Sequence, residues 1–313
     1  MSVVGVVREL LVRYLDVWTP AALHARRAAF AAAGPAGVDL AEAALSVFAE
    51  FSDRMRGRRL ALVVVTPEVG DGLRGTQGEA SRAGLAGTAR RLATTQAELG
   101  TPPELSVYPV AGEPDDRLAP ALSAAGAAKA PLLALVDTPR LPPAEVTAAI
   151  LAGRPAELLL LTAAGTWPEC RATLRTAGFP LTAGVELVDA TGTEERLLAF
   201  ATSHDKSLEA FKNAMWAVDE YAGVRFRDPA DPDGHLLDIS LKPHPGPLRR
   251  ALLAHLADTG GCTVTELRRY TLTDTVYRSS DTTSALTSLL TAGAVTRDPP
   301  AGRLGGDVRI VAT

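Results

Sequence analysis

Apolar positions along this chain fall into short β-branched or Leu-rich runs separated by stretches with helical spacing. Residues 6–19 place Val6, Leu10, Leu11, Tyr14, Leu15 and Trp18 three or four apart, which predicts an opening helix. AAFAAAGPAG (28–37) predicts a weak strand running into a glycine turn. Residues 38–56 predict a helix with Leu40, Ala44, Val47, Phe48 and Phe51 on one face. RLALVVVTPE (59–68) is the clearest strand, ended by Pro67. A polar glycine-rich loop, GDGLRGTQGE, then leads into a helix over 79–99. Beyond it, strands at 105–110, 132–136 and 157–162 alternate with helices at 115–125 and 143–152. That alternation means βαβ units and a parallel sheet covered on both faces.

The rhythm changes at GVELVDATGTEERLLAFATS (184–203), where two strand-like runs flank a Thr-Gly turn. This predicts an antiparallel hairpin. The fold class expected is therefore α/β: five parallel strands closed by a hairpin, the layout of class I methyltransferase-like Rossmann folds. SLEAFKNAMWAVDEYAG (207–223) follows as a helix with Leu208, Phe211, Met215 and Val218 inward and Trp216 and Tyr221 flanking. Residues 226–242, rich in Pro and Asp, read as a linker. Residues 243–313 read as three helices and a hairpin, the order of a winged-helix module, with Thr263 or Thr265 and Ser280 or Asp281 as helix caps. The expected domains are thus 1–225, with its N-terminal helix, and 243–313, joined by that linker.

Composition narrows the classes. Of 313 residues, 47% are hydrophobic and 22% charged, with a formal net charge of −4, which excludes a polybasic coat and a disordered acidic tail. No apolar run approaches the roughly 18 residues of a spanning helix, and Arg8, Glu9, Arg13 and Asp16 interrupt the first apolar stretch. A cytoplasmic protein is expected. The two cysteines, Cys170 and Cys262, are far apart, and the histidines form no ligand pair, so no metal site is expected. Serines occur in no G-x-S-x-G elbow, and GDGLRGTQG lacks the Lys and Ser/Thr of a phosphate loop.

Several stretches carry a family resemblance: RELLVRYLDVW, the AGP near position 34, a strand ending in DTP, and LLAFATSHDKSLEAFKNAMWAVDE. In the last, Phe200, Ala201, Thr202, His204, Met215, Trp216, Val218 and Asp219 match a pattern like FATxH followed by AMWxVD. Over about residues 8–225 the chain resembles the TcmP family, the three-Cys-motif partner proteins. The resemblance implies a methyltransferase-like Rossmann fold. It also implies a partner, a three-cysteine, radical-SAM-like protein encoded nearby, and a setting in phage defence or nucleic-acid modification. Three departures stand against retained chemistry. The family's first-strand acid and glycine align with Phe30 and Ala31; the place of the ribose-gripping acid after the second strand is Thr66, with Glu68 two residues on; and the family's DPFG is here DTPR.

Gly34, Pro35, Gly37 and Glu68 are the candidate cofactor residues, S-adenosylmethionine being the cofactor they would hold; the departures lead us to expect none bound. Asp137, at the end of LLALVD, is the candidate catalytic acid: a general base or acceptor for a substrate amine, or else a group that pins its own loop. From residue 242 onward nine Lys/Arg stand against six Asp/Glu. Arg268, Arg269 and Arg278 on or near the second and third helices, and Arg297 and Arg303 in the wing, are candidates for DNA or RNA phosphates; protein contact is the other reading of that face. The function expected is that of an accessory protein on a degenerate methyltransferase fold, binding a partner protein, nucleic acid or both. An active S-adenosylmethionine-dependent methyltransferase and a DNA-binding regulator are the alternatives.

Overall fold

The structure, a computed structural model, describes residues 2–67, 77–218 and 223–313, without the side chains of 77–83. Helix α1 (Val3–Ala22) is capped by the Ser2 hydroxyl, which accepts from Gly5 N at 3.2 Å. Its stripe of Val3, Val6, Leu10, Leu11, Tyr14, Leu15 and Trp18 is buried against α2 (Gly37–Glu50) and α8 (Asp205–Trp216). A four-residue helix, α3 (Ser52–Met55), completes the segment expected as one helix.

Strands β1 (Arg27–Ala33), β2 (Arg59–Thr66), β3 (Leu105–Ala111), β4 (Leu132–Asp137) and β5 (Ala156–Ala163) are mutually parallel, in the order β3-β2-β1-β4-β5. Helices α2 with α3, then α4 (Gln77–Leu99), α5 (Pro114–Ala124) and α6 (Ala144–Leu151) make the four crossovers. The Ala-rich β1, weak by propensity, is buried at every position but Arg27. It lies between β2 and β4, where tertiary packing overrides propensity. Alternation along it sends Ala28, Phe30 and Ala32 into the core under α1 and α2, and Ala29, Ala31 and Ala33 into a second core that holds Leu118 and Leu122 of α5 and Val146 and Ile150 of α6.

The expected hairpin is β6 (Leu181–Val188) with β7 (Glu195–Thr202). Its second strand inserts next to β5, antiparallel, so the order continues β5-β7-β6 and β6 runs parallel to the first five. Asp189 closes the turn, accepting from Thr193 N at 2.8 Å and Glu194 N at 3.1 Å; those donors and the Thr191 hydroxyl, the largest influence, hold its carboxyl down at about 2. Between β5 and β6 lies α7 (Trp167–Ala177), absent from the elements expected above. Its buried positions, Trp167, Cys170 and Leu174, are too few to stand out from the polar residues between them.

Residues 226–242, expected as a linker, add two strands to the sheet. β8 (Arg225–Arg227) pairs with β6, and β9 (Leu236–Leu237) pairs with β8, giving nine strands. Phe226 and Ile239 are buried there. Then come α9 (Gly246–Thr259), β10 (Cys262–Thr263), α10 (Val264–Asp274), α11 (Asp281–Thr291), β11 (Val295–Asp298) and β12 (Arg309–Ala312), whose strands form an antiparallel sheet in the order β10-β12-β11. Thr263 caps α10 in a reciprocal box with Glu266, while Ser280 precedes α11 without a side-chain cap bond.

These C-terminal elements share one continuous core with the large sheet. Lys212 of α8, fully buried, donates to Thr271 O at 3.1 Å, Thr275 O at 2.5 Å and Tyr277 O at 2.8 Å. Trp216 is not a flanking residue: its indole N–H donates to Val276 O at 3.0 Å and its ring stacks on Tyr277. Tyr221 lies outside the described residues. No described helix is long and apolar enough to cross a membrane.

Candidate functional site

In an open α/β sheet, ligands bind beyond the carboxyl ends of the strands, where the strand order reverses. Here that point lies between β1 and β4, and a cleft of about 690 Å³ opens there. Pro35, Ala36, Asp137, Pro139, Ala163 and Arg196 line it, with Ser2 and Val4 of the α1 end at its rim.

β1 ends at Ala33, and the chain turns through Gly34 to Gly37 into α2. Gly34 has φ +107°, and a Cβ there would lie 1.9 Å from the Asp137 carbonyl oxygen. The turn can therefore sit against β4 only with glycine at this place. Its N–H groups are spent internally. Gly34 N donates to Val65 O at 2.9 Å, Ala36 N to the Asp137 Oδ2 at 3.1 Å, and Gly37 N to Gly34 O at 2.9 Å.

Asp137 is 4% exposed. Besides holding Ala36 N, its carboxylate accepts from Arg196 Nη2 through Oδ1 at 2.6 Å. Arg196, from β7, also donates to Leu161 O at 3.1 Å and Thr162 O at 3.1 Å, which fixes its fork across the end of β5. Asp137 thus ties the turn after β1 to β7 through β4. Of its two expected roles the geometry favours the pin, because each carboxylate oxygen already has a short donor.

The other acids lining the cleft, Asp39 and Glu195, are also committed, Asp39 together with its neighbour Glu42. Asp39 and Glu42 of α2 hold Arg91 of α4, each at 2.6 Å. Glu195 holds Arg227 at 3.0 Å, and Arg227 lowers its pKa. Gly34 and Gly37 are both in the turn, and Pro35 is exposed on the cleft. Glu68 lies outside the described residues. Thr66, at the end of β2, and Phe30, buried against Phe48, offer no carboxylate where the resemblance has one. The cleft is large enough for a nucleoside, since small-ligand pockets run from about 300 Å³ upward. Among the described residues, the turn's N–H groups and the Asp137 carboxylate that would meet S-adenosylmethionine already have protein partners.

The C-terminal arginines are mostly engaged as well. Arg268 donates to the Thr283 hydroxyl at 3.1 Å, and Arg269 pairs with Asp205 at 3.1 Å. Arg278 forks onto Asp281 at 2.8 Å and reaches Leu241 O at 2.9 Å. Arg297 is wrapped by the carbonyls of Pro299, Ala301, Gly302 and Arg303. Arg303 is exposed. α11, the third of the C-terminal helices, carries Asp281 and no Lys or Arg. Asp231, Asp233 and His235 bring ligand atoms within 4.8 Å of one another, but the Asp231 carboxylate is turned onto Asp233 N, His235 N and the His235 ring, closing a surface turn.

Two groups central to this architecture, Arg196 and Lys212, were not singled out from the sequence. Each had a signal: Arg196 is the last of three successive charges, Glu194-Glu195-Arg196, and the one that abuts the apolar run LLAFAT, and Lys212 stands at the inward spacing set by Leu208, Phe211 and Met215. Comparison with known proteins adds little to this geometry. No protein-family model matches the chain, and no curated protein does. Among solved structures, the chain is similar to that of a predicted O-methyltransferase from Agrobacterium tumefaciens, at 15% identity and a TM-score of 0.31, over 62% of this chain and 79% of the other.

Proposed function

We propose that this chain is an accessory protein built on a methyltransferase-type fold that acts by binding, not by methyl transfer. The observation that carries the reading is the state of Asp137: the one acid at the carboxyl end of β4 is bonded to Ala36 N and Arg196, and the glycine turn's N–H groups are already satisfied. The strand order β3-β2-β1-β4-β5-β7-β6, with β7 alone antiparallel among these seven, supports the methyltransferase-type assignment of the fold. Isothermal calorimetry with millimolar S-adenosylmethionine tests the reading: no heat and no thermal shift are expected, and saturable binding would overturn it in favour of a live methyltransferase.

The partner that the TcmP resemblance suggests is a three-cysteine, radical-SAM-like protein, and co-purification with the product of the neighbouring gene is the assay for it. The pairing of β10 with β12, together with the three-helix-then-hairpin order, supports a winged-helix reading of the C-terminal elements. Within that reading, protein contact is better supported than a DNA-binding regulator. α11 has no phosphate-neutralising side chain, and Arg269, Arg278 and Arg297 are held by the protein itself. Duplex DNA binding with a steep salt dependence that is lost on removing Arg268 and Arg303 would reverse this preference.

A further inference from the structure

The opposite end of the sheet carries a second cleft, of about 750 Å³, beneath the amino ends of β1, β2 and β3. Two arginine-rich stretches supply it: ARRA at the start of β1 and RMRGRR before β2. Gly57, with φ +72°, reverses the chain after α3 so that Arg58 and Arg59 enter the strand. Strand register then sets Arg27 directly beside Arg59 as parallel neighbours, about 4.8 Å apart across the sheet. Like charges paired in this way oppose folding. Neither Arg27, Arg58 nor Arg59 has an ion-pair partner among the described residues.

The rest of the cleft is consistent with an anionic ligand that also has a flat face. Alternation puts Arg27, Arg59 and Ala61 on one face of the sheet, and the pairing of Ala61 with Ser106 and of Val63 with Tyr108 puts Ser106 and Tyr108 on that same face of β3. β3 is the edge strand, and Tyr108 is 43% exposed. Ala61 is small, which leaves the floor open, and the Ala125–Gly126 loop after α5 forms one wall. Among the described residues Glu104 is the only acid lining the cleft, so three arginines leave a local excess of two positive charges in a chain whose formal net charge is −4. Guanidinium forks match phosphate oxygens, and an exposed tyrosine offers a stacking face to a base.

We propose that this cleft binds a nucleotide unit, its phosphate between Arg27 and Arg59 and its base against Tyr108, supplied by a single nucleic-acid strand or by a free nucleotide. The site is separate from the Asp137 cleft, so it stands whether or not that cleft binds S-adenosylmethionine. Fluorescence anisotropy with a labelled twelve-residue oligothymidylate, competed by thymidine monophosphate or by inorganic phosphate, tests it at two salt concentrations. The wild-type chain should bind, and R27Q/R59Q should weaken binding about tenfold or more and lower the log–log salt slope by about 0.7, the value for the one single-strand phosphate that the two arginines share. Tyr108→Ala should weaken the oligonucleotide and the mononucleotide but leave competition by phosphate unchanged. Glu104→Gln, which removes the opposing charge, should tighten binding, a gain that damage to the fold cannot mimic. Strong competition by the mononucleotide assigns the site to free nucleotides, and weak competition assigns it to a strand; either supports the proposal. Absence of binding by every probe, or binding indifferent to both R27Q/R59Q and Glu104→Gln in variants with wild-type circular dichroism, would overturn it.

Discussion

At the residue scale, the position of Asp137 was legible and its partners were not. A strand read alone shows an acid at its carboxyl end; it cannot show Ala36, 101 residues away in sequence, or Arg196, 59 residues away. Those two contacts change the meaning of the carboxylate from reactive group to clasp. Asp137→Asn keeps an acceptor for Ala36 N but removes the charge that faces Arg196. It is expected to cost about 2 kcal/mol in urea unfolding, the range for hydrogen bonds to charged groups. Gly34→Ala should cost more, about 3 kcal/mol or above, because it adds a left-handed backbone penalty to a contact of 1.9 Å with the Asp137 carbonyl. If either variant unfolds like the wild type, the clasp is not what holds the turn.

Elements were more legible than residues where the apolar spacing was dense. α1, α8 and the parallel strands lie where periodicity put them, whereas α7, with three buried positions in eleven residues, did not announce itself. α8 shows how an element joins two parts of the molecule. Its inward face carries Lys212 among Leu208, Phe211 and Met215, and the ammonium meets three carbonyls at and beyond the end of α10. Three acceptors call for three N–H donors, which only the charged amine supplies. Burial opposes this and pulls the Lys212 pKa down to about 7. The unfolded chain keeps that proton to about pH 10, so between pH 7 and 10 it binds more protons than the folded chain. This one group therefore makes stability rise with pH across that window, by at most about 1.4 kcal/mol per pH unit, with its full burial cost felt below about pH 6. Denaturant titrations at pH 6, 7, 8 and 9 should show this contribution in the wild type and not in Lys212→Met. At pH 7 the same variant, which strands three carbonyls, should lose about 3 kcal/mol. At the start of α10, Thr263→Ala removes a reciprocal cap and should cost about 1 kcal/mol.

At the scale of the whole molecule, order along the chain and order in space part company. Local pattern indicates a hairpin after β5, but not that its second strand slides in beside β5; that choice depends on β5 offering an apolar edge to LLAFA. The Pro- and Asp-rich stretch after 225 has the composition of a linker, yet Phe226 packs against Trp216, and β8 continues the sheet. Trp216 in turn stacks on Tyr277, and Arg171 of α7 bonds the Asp274 carboxylate of α10. The C-terminal elements therefore share a core with the sheet, and their stability is coupled to it. A buried lysine, a buried indole N–H and a continuous apolar cluster all cross the junction, so separating the parts would expose all three at once. Scanning calorimetry of the full chain should accordingly give one unfolding transition, with the Lys212→Met variant shifted as a whole. A chain cut at residue 242 should expose Trp216 and Phe226, bind a hydrophobic dye and aggregate. Two resolved transitions, or a soluble truncated chain with wild-type near-ultraviolet dichroism, would show instead that the junction is a docking contact between parts that fold independently.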